Sequence, residues 1–149
     1  MLKFIQQLID LNSALVAKGR SATIYDEALA LHGAKEYSKA FPLMKEAAGL
    51  GNLPAMSILG SMYLLGKGVP ENGVEAERWL KQAVDGGFEG AISVLGMAYA
   101  TGSAGIRINI PLARQLLTQA AEKGEQQSAR MLEMMDQGQG IFRGLKKAE

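Results

Sequence analysis

An eight-residue motif, Leu-Gly-x-x-Tyr-x-x-Gly, occurs twice in the chain, starting at Leu59 and again 36 residues later at Leu95. The similarity extends well beyond the motif itself. Four copies can be aligned, two complete, one with a shorter turn and one truncated: residues 51–87, 87–124, 25–51 and 125–138. A repeat of this length cannot bury its own apolar face and has to stack on its neighbours, so the pattern predicts a solenoid.

Each complete copy predicts two helices. In residues 53–65 the apolar side chains recur every three or four positions, which places them on one face of a helix. Gly66 is suited to end this helix, a loop follows, and a second helix is expected from about Val74 to Asp85. Gly60 and Gly96 lie inside first helices, where glycine costs about 1 kcal/mol relative to alanine. We therefore expect a neighbouring helix to approach closely at both glycines, and an all-α superhelix of helix-turn-helix repeats.

The N-terminal segment predicts a separate amphipathic helix. From Leu2 to Val16 the apolar residues occupy about half of the helical circle, and polar residues occupy the rest. Packing as a cap on the first repeat is the favoured role, pairing with a second copy in a homodimer is the alternative, and membrane binding is disfavoured because only Lys3 and Lys18 are basic. The expected organisation is a capping helix at 1–19, three repeats and a partial fourth at 20–137, and a tail at 138–149.

Composition excludes several classes of function. The chain has 149 residues, which suits one domain, and its 16 basic and 15 acidic side chains give a formal charge of +1. This balance offers no field to attract nucleic acid or an anionic membrane, so neither is an expected partner. No stretch approaches the roughly 20 apolar residues of a membrane span, and polar residues interrupt the N-terminal segment where a signal peptide is unbroken. We expect a cytoplasmic protein.

The residues needed for catalysis are scarce. The chain has no cysteine, and His32 is its only histidine, so a catalytic triad would depend on this single ring. His32 precedes Gly33 at a predicted helix end, where an imidazole can meet the last carbonyl groups. No paired-histidine spacing for a metal is present, and Gly-Lys-Gly at residues 66–68 lacks the rest of a phosphate-binding loop. We therefore expect no enzymatic activity, no metal and no cofactor.

The repeated residues also resemble those of a known family. The first complete copy carries a long joint pattern: Ala55, Leu59, Gly60, Tyr63, Gly66, Gly68, Val69, Pro70, Ala76, Trp79, Ala83 and Gly87. This pattern is similar to the Sel-1-like repeat, a relative of the tetratricopeptide repeat, over about residues 22–136. The second copy departs from it with Leu116 in place of the aromatic residue. The resemblance implies an α/α superhelix that binds a partner protein as an adaptor, or an immunity-type protein that neutralises a toxin or effector.

The predicted first helices of both complete repeats, residues 53–65 and 90–101, contain no charged residue. By analogy with tetratricopeptide units, the side opposite their inward-facing residues lines a concave surface. Six residues are predicted there: Ser57, Ser61, Leu64, Ser93, Met97 and Ala100. An uncharged groove can bind an apolar segment of a partner protein, or the chain can cover it with its own residues 140–145. Both alternatives remain open from the sequence.

Overall fold

A computed structural model describes residues 1–138 of the chain. Within this range the protein is built of α-helices and one short 3-10 helix, with no strand, which confirms the predicted all-α solenoid. The helices are α1 (Leu2–Gly33), α2 (Tyr37–Gly49), α3 (Leu53–Leu65), α4 (Gly73–Asp85), α5 (Gly90–Thr101), α6 (Ile110–Glu122) and α7 (Gln126–Gln137), and the 3-10 helix is Ser103–Gly105. Apart from Gly138, the predicted tail lies outside the described residues, as does the segment 140–145.

The helices form pairs that stack in chain order. α1 packs with α2, α3 with α4 and α5 with α6, and each pair contacts the next through α2 with α3, α4 with α5 and α6 with α7. In addition, α3 contacts α5 and α5 contacts α7, so the first helices of successive repeats lie side by side. The buried apolar residues of all these helices form one continuous core. Each repeat is therefore stabilised by its neighbours.

Asparagine and glycine set the ends of the repeated helices. The side chains of Asn52, Asn72 and Asn109 each accept a hydrogen bond from the backbone N–H three residues on, at 2.9, 3.1 and 3.2 Å. These are N-caps, which satisfy an amide that the helix leaves without a partner. Gly66 and Gly102 end α3 and α5 in the left-handed conformation, with φ of 63° and 72°. Glycine adopts this conformation without steric cost. The predicted end of the first helix at Gly66 is therefore confirmed.

The glycines inside the first helices are contact points, as predicted. A Cβ atom built on Gly60 would lie 2.6 Å from Leu80 Cγ, and one on Gly96 would lie 3.0 Å from Leu117 Cγ. Both leucines are fully buried on the second helix of the same repeat. The absence of a side chain therefore lets the two helices of each repeat approach closely.

A side-chain contact recurs wherever one repeat meets the next. It joins the second helix of one repeat to the first helix of the following one, always between residues 22 positions apart. The three contacts are an edge-to-face ring pair of Phe41 and Tyr63 with centroids 5.5 Å apart, a hydrogen bond of 2.7 Å from Tyr99 to Glu77, and an ion pair of 2.6 Å between Arg114 and Asp136. We call these the seam contacts. Their position is the same in each repeat, but their chemistry differs.

The N-terminal segment differs from its prediction. α1 runs without a break from Leu2 to Gly33, so residue 19 is not a boundary. Its apolar residues between 2 and 16 are exposed, and the predicted packing as a cap on the first repeat is absent from the described structure. The physical reason is length: α2 has 13 residues, and its polar contacts with α1 begin at Arg20, which lies 2.5 Å from Glu46. The first half of α1 extends past the end of its partner helix.

Candidate protein-binding surface

The six residues predicted to line a groove fall into two groups. Ser61, Leu64 and Met97 are half-buried, whereas Ser57, Ser93 and Ala100 are buried, with exposed fractions of 6%, 8% and 1%. The reason lies in the packing of the first helices, because α5 has α3 and α7 as neighbours in addition to α4 and α6. The prediction used a helical projection of each first helix alone, which does not show the side chains that the neighbouring helices bury. Three of the six positions are therefore accessible to a partner.

Two of the buried positions have a packing role. Ser57 and Ser93 occupy the same place in successive repeats, and Ser21 occupies it in the first. All three are buried, and the Ser21 hydroxyl donates a hydrogen bond to the carbonyl oxygen of Ala47 at 3.3 Å. A small residue that recurs every 36 positions at a buried site marks a close approach of helices. This recurrence is the sequence signal that distinguishes these serines from surface residues.

The accessible face of the first helices lies a short rotation away from the predicted one. In each first helix, three positions at spacings of three and four residues are uncharged and not buried. These rows are Ala22, Tyr25 and Leu29 in α1, Ile58, Ser61 and Leu65 in α3, Val94, Met97 and Thr101 in α5, and Met131, Met134 and Gly138 in and after α7. We call these twelve residues the uncharged stripe. Ser61 and Met97 belong both to it and to the predicted set.

The serine and threonine hydroxyl groups of the uncharged stripe are satisfied within their own helices. Ser61 Oγ donates to the carbonyl oxygen of Ser57 at 3.0 Å, and Thr101 Oγ1 donates to that of Met97 at 2.9 Å. A partner that covers these residues therefore does not have to supply a hydrogen bond to each hydroxyl, and their desolvation is less costly. The stripe thus presents a mostly apolar surface.

The charged groups of the second helices are largely paired. Arg78 contacts Glu75 at 2.7 Å, and Lys81 contacts Glu77 at 2.5 Å. The hydrogen bond from Lys81, helped by that from the Tyr99 hydroxyl, lowers the pKa of the Glu77 carboxyl. Burial, followed by the neighbouring Glu77, raises the pKa of Tyr99. The second helices thus carry ion pairs in water, in contrast to the uncharged stripe.

The single histidine, His32, packs against an aromatic ring. The His32 ring meets the Tyr37 ring edge-on, with centroids 5.1 Å apart, and Lys67 lies over the same tyrosine ring. Burial, and to a lesser extent the positive charge of Lys67, lowers the pKa of His32.

Within residues 1–138 no group of three or more histidine, aspartate or glutamate side chains is placed to hold a metal ion. No helix in this part of the chain is long and apolar enough to cross a membrane.

Comparison with known proteins places these repeats in a family. Residues 53–88 and 91–125 match the Sel1 repeat family. A protective antigen of uropathogenic Escherichia coli with an SLR fold has a TM-score of 0.72 and 29% identity, over 84% of this chain and 28% of that one. A Sel1 repeat protein from Oxalobacter formigenes has a TM-score of 0.66 and 28% identity, over 76% of this chain and 47% of that one. The chain therefore spans less than half the length of these two proteins.

A third structure shares the fold. Helicobacter pylori cysteine rich protein B has a TM-score of 0.60 at 21% identity, over 82% of this chain and 94% of that one. No curated protein sequence matches the chain. Stacked helix pairs with a continuous core define an α/α repeat solenoid, a scaffold that generally serves protein interaction. Residues 53–88 and 91–125 are thus Sel1-like repeats, as the repeated residues predict, and the fold of the chain is similar to that of solved Sel1 and SLR proteins.

Proposed function

We propose that the protein is a non-enzymatic interaction module that binds an apolar segment of a partner protein along the uncharged stripe. The observation that carries this proposal is the composition of the stripe: twelve positions, eleven on four helices and Gly138 directly after the last, carry no charge, and none is buried. A mostly apolar face across several helices is the kind of surface on which partner segments dock.

The side chains of the stripe favour an adaptable contact. Leu65 is 60% exposed and Met134 is 40% exposed, so both offer apolar area that a partner can remove from water. The methionines Met97, Met131 and Met134 are flexible and polarisable, which lets one surface fit the apolar side chains of different segments.

The test places negative charge in the stripe. The variant Ser61→Glu with Met97→Glu introduces two carboxylates on neighbouring first helices, and docking would have to desolvate both. We expect it to bind the partner at least tenfold more weakly, on the order of the loss seen when a contact at the centre of an interface is disrupted. The partner is first isolated from native lysate and identified by mass spectrometry. Its affinity for each purified variant is then measured by calorimetry.

A matched control adds the same charges elsewhere. Val74 and Thr118 are exposed on second helices, and Val74→Glu with Thr118→Glu also replaces one apolar and one hydroxyl residue. Lys81 and Arg114 suit this purpose less well, because each is ion-paired. The control should bind like the parent, and both variants should keep the parental melting temperature. Loss of binding in the control with full binding in the stripe variant would disprove the proposal.

The kinetics of the same complex distinguish two modes of action. An adaptor binds several related segments with micromolar affinity, whereas an immunity-type inhibitor binds one toxin or effector and dissociates very slowly. Surface plasmon resonance with the isolated partner therefore tells which of the two roles the stripe serves.

A further inference from the structure

The first half of α1 carries an apolar face that nothing in residues 1–138 covers. Eight side chains form it, with exposed fractions between 46% and 85%: Leu2, Phe4, Ile5, Leu8, Ile9, Leu11, Leu15 and Val16. They fall within about half of the helix circumference, and Lys3, Gln6 and Asp10 lie on the other half. We call these eight residues the α1 face.

The α1 face is directed away from the repeats. α2 packs on the side of α1 that holds Ser21 and Ala28, the buried residues of this helix. At about 100° per residue, this side lies about 180° round the helix from the centre of the α1 face. Because α1 is continuous from Leu2 to Gly33 and extends past α2, the described repeats reach only the C-terminal part of the face, where Asn12 and Val16 line an open pocket with Leu50.

The centre of the α1 face has the spacing of a helix pair. Ile5, Leu8, Asn12 and Leu15 follow one another at intervals of 3, 4 and 3 residues. This is the a and d pattern of two helices packed side by side, with Ile5 and Asn12 at a and the leucines at d. Among parallel coiled coils, a β-branched residue at a with leucine at d favours two strands, and one asparagine at an a position selects the register, because the two asparagines then lie opposite each other. Asn12 is exposed in the single chain.

We infer that a second copy of this chain covers the α1 face, in a parallel dimer whose two α1 helices pack along Ile5, Leu8 and Leu15. In this arrangement the amide of Asn12 meets Asn12 of the partner subunit, so the one polar group on the seam is hydrogen-bonded. Continued along α1, the same register places Ala22 and Leu29 of the uncharged stripe at d positions, so the proposed pairing is confined to residues 2–18, where the two α1 helices extend past the repeats.

Area and charge favour a second copy over a lipid surface. The eight side chains keep between 46% and 85% of their area exposed, apolar area that a second copy can remove from water. Interfacial helices that bind anionic lipid carry many basic residues on their polar face. Here residues 2–18 contain only Lys3 and Lys18, together with the acidic Asp10. An uncharged face is complementary to a second copy of itself.

The absence of cysteine from the chain makes a direct test possible. In the full chain, Asn12→Cys places one thiol at the centre of the α1 face, and Gln6→Cys places one on the polar side of the same helix. Under mild oxidation we expect Asn12→Cys to give a disulfide-linked dimer and Gln6→Cys to stay mostly monomeric. Equal cross-linking of the two variants, or none in Asn12→Cys, would overturn the parallel pairing.

Sedimentation velocity tests the association without a covalent bond. The parent should sediment as a dimer, and Leu8→Lys with Leu15→Lys as a monomer, because two lysines at d positions cannot be buried against each other. Val74→Lys with Ile108→Lys is the matched control, since both residues are exposed and apolar and lie outside α1. It should stay dimeric and melt like the parent. Leu8→Lys with Leu15→Lys loses the stabilisation that association supplies, but it should keep the helical circular dichroism spectrum of the parent at low temperature.

Two results would overturn the inference. One is a parent that is monomeric at all concentrations, and the other is a dimer that persists in Leu8→Lys with Leu15→Lys. If the parent is monomeric and sediments with vesicles of anionic phospholipid, the α1 face is a membrane contact instead. None of these measurements involves the uncharged stripe, so they succeed or fail independently of the proposed function.

Discussion

Trp79→Ala is expected to lower the free energy of unfolding by about 3 to 5 kcal/mol, the range for truncating a large buried aromatic residue. The indole is 7% exposed and belongs to the continuous core. Its ring also carries the Arg78 guanidinium at 4.2 Å from the centroid, and this cation–π contact is lost with it. Urea denaturation followed by far-ultraviolet circular dichroism measures the change, because the variant has no tryptophan to report by fluorescence.

Trp79→Phe is the control for this variant. Phenylalanine keeps an aromatic ring in the core and a face on which Arg78 can lie, so the loss should be much smaller than for alanine. If Trp79→Ala unfolds at the same urea concentration as the parent, the indole does not hold neighbouring helices together. The single tryptophan of the parent should also emit at a shorter wavelength than a hydrated indole, and an emission maximum typical of water would contradict its burial.

Gly60→Leu is expected to destabilise the protein by about 3 kcal/mol or more, at the upper end of the cost of overpacking a core. Even a single Cβ at this position would lie 2.6 Å from Leu80 Cγ and 3.2 Å from the carbonyl oxygen of Ala76. A leucine adds three further carbon atoms in the same direction. The higher helix propensity of leucine offsets only about 1 kcal/mol of this cost.

Two further variants locate the source of the loss. In Gly49→Leu the glycine is also helical, but no atom lies within 4 Å of the added Cβ, so the substitution should be neutral or slightly stabilising. Adding Leu80→Ala to Gly60→Leu makes room for the new side chain and should recover part of the stability. The double variant should therefore be more stable than the two single effects added together. Strict additivity would show that Gly60 and Leu80 do not limit the approach of α3 and α4.

The features that could be predicted from the sequence depend on residues close together in the chain. The bounds of α3 and α4 follow from an apolar period that ends at Gly66 and resumes near Val74, and these residues act within one or two turns. Gly60 is also informative alone, because glycine inside a helix needs a reason and close packing is the commonest one. The match to the Sel1 repeat combines such local signals.

The features that could not be predicted depend on how one repeat is rotated relative to the next. Ser57 and Ala100 look free in a projection of their own helix, but the adjacent first helices close that side. Ile58 and Leu65 were missed for the same reason, since their accessibility depends on where the neighbouring helices do not lie. The same holds for the N-terminal helix. Its apolar pattern predicts that one face is buried, but the pattern does not identify the surface that buries it.

The seam contacts have a consequence for how such a chain can lengthen or shorten in evolution. Excision of residues 53–88 would join α2 to α5 and bring Phe41 to Tyr99, so that two rings would again meet at a spacing of 22 residues. Excision of residues 89–125 would instead join α4 to α7 and bring the Asp136 carboxylate to that of Glu77, so that no ring contact or ion pair of the two residues replaces the one lost and Lys81 faces two carboxylates. Loss of the first unit therefore restores a seam contact between matched side chains, and loss of the second does not. We expect the first deletion variant to melt at the higher temperature. The repeats share one backbone arrangement, but their seam side chains differ, and these differences favour one order of the repeats along the chain.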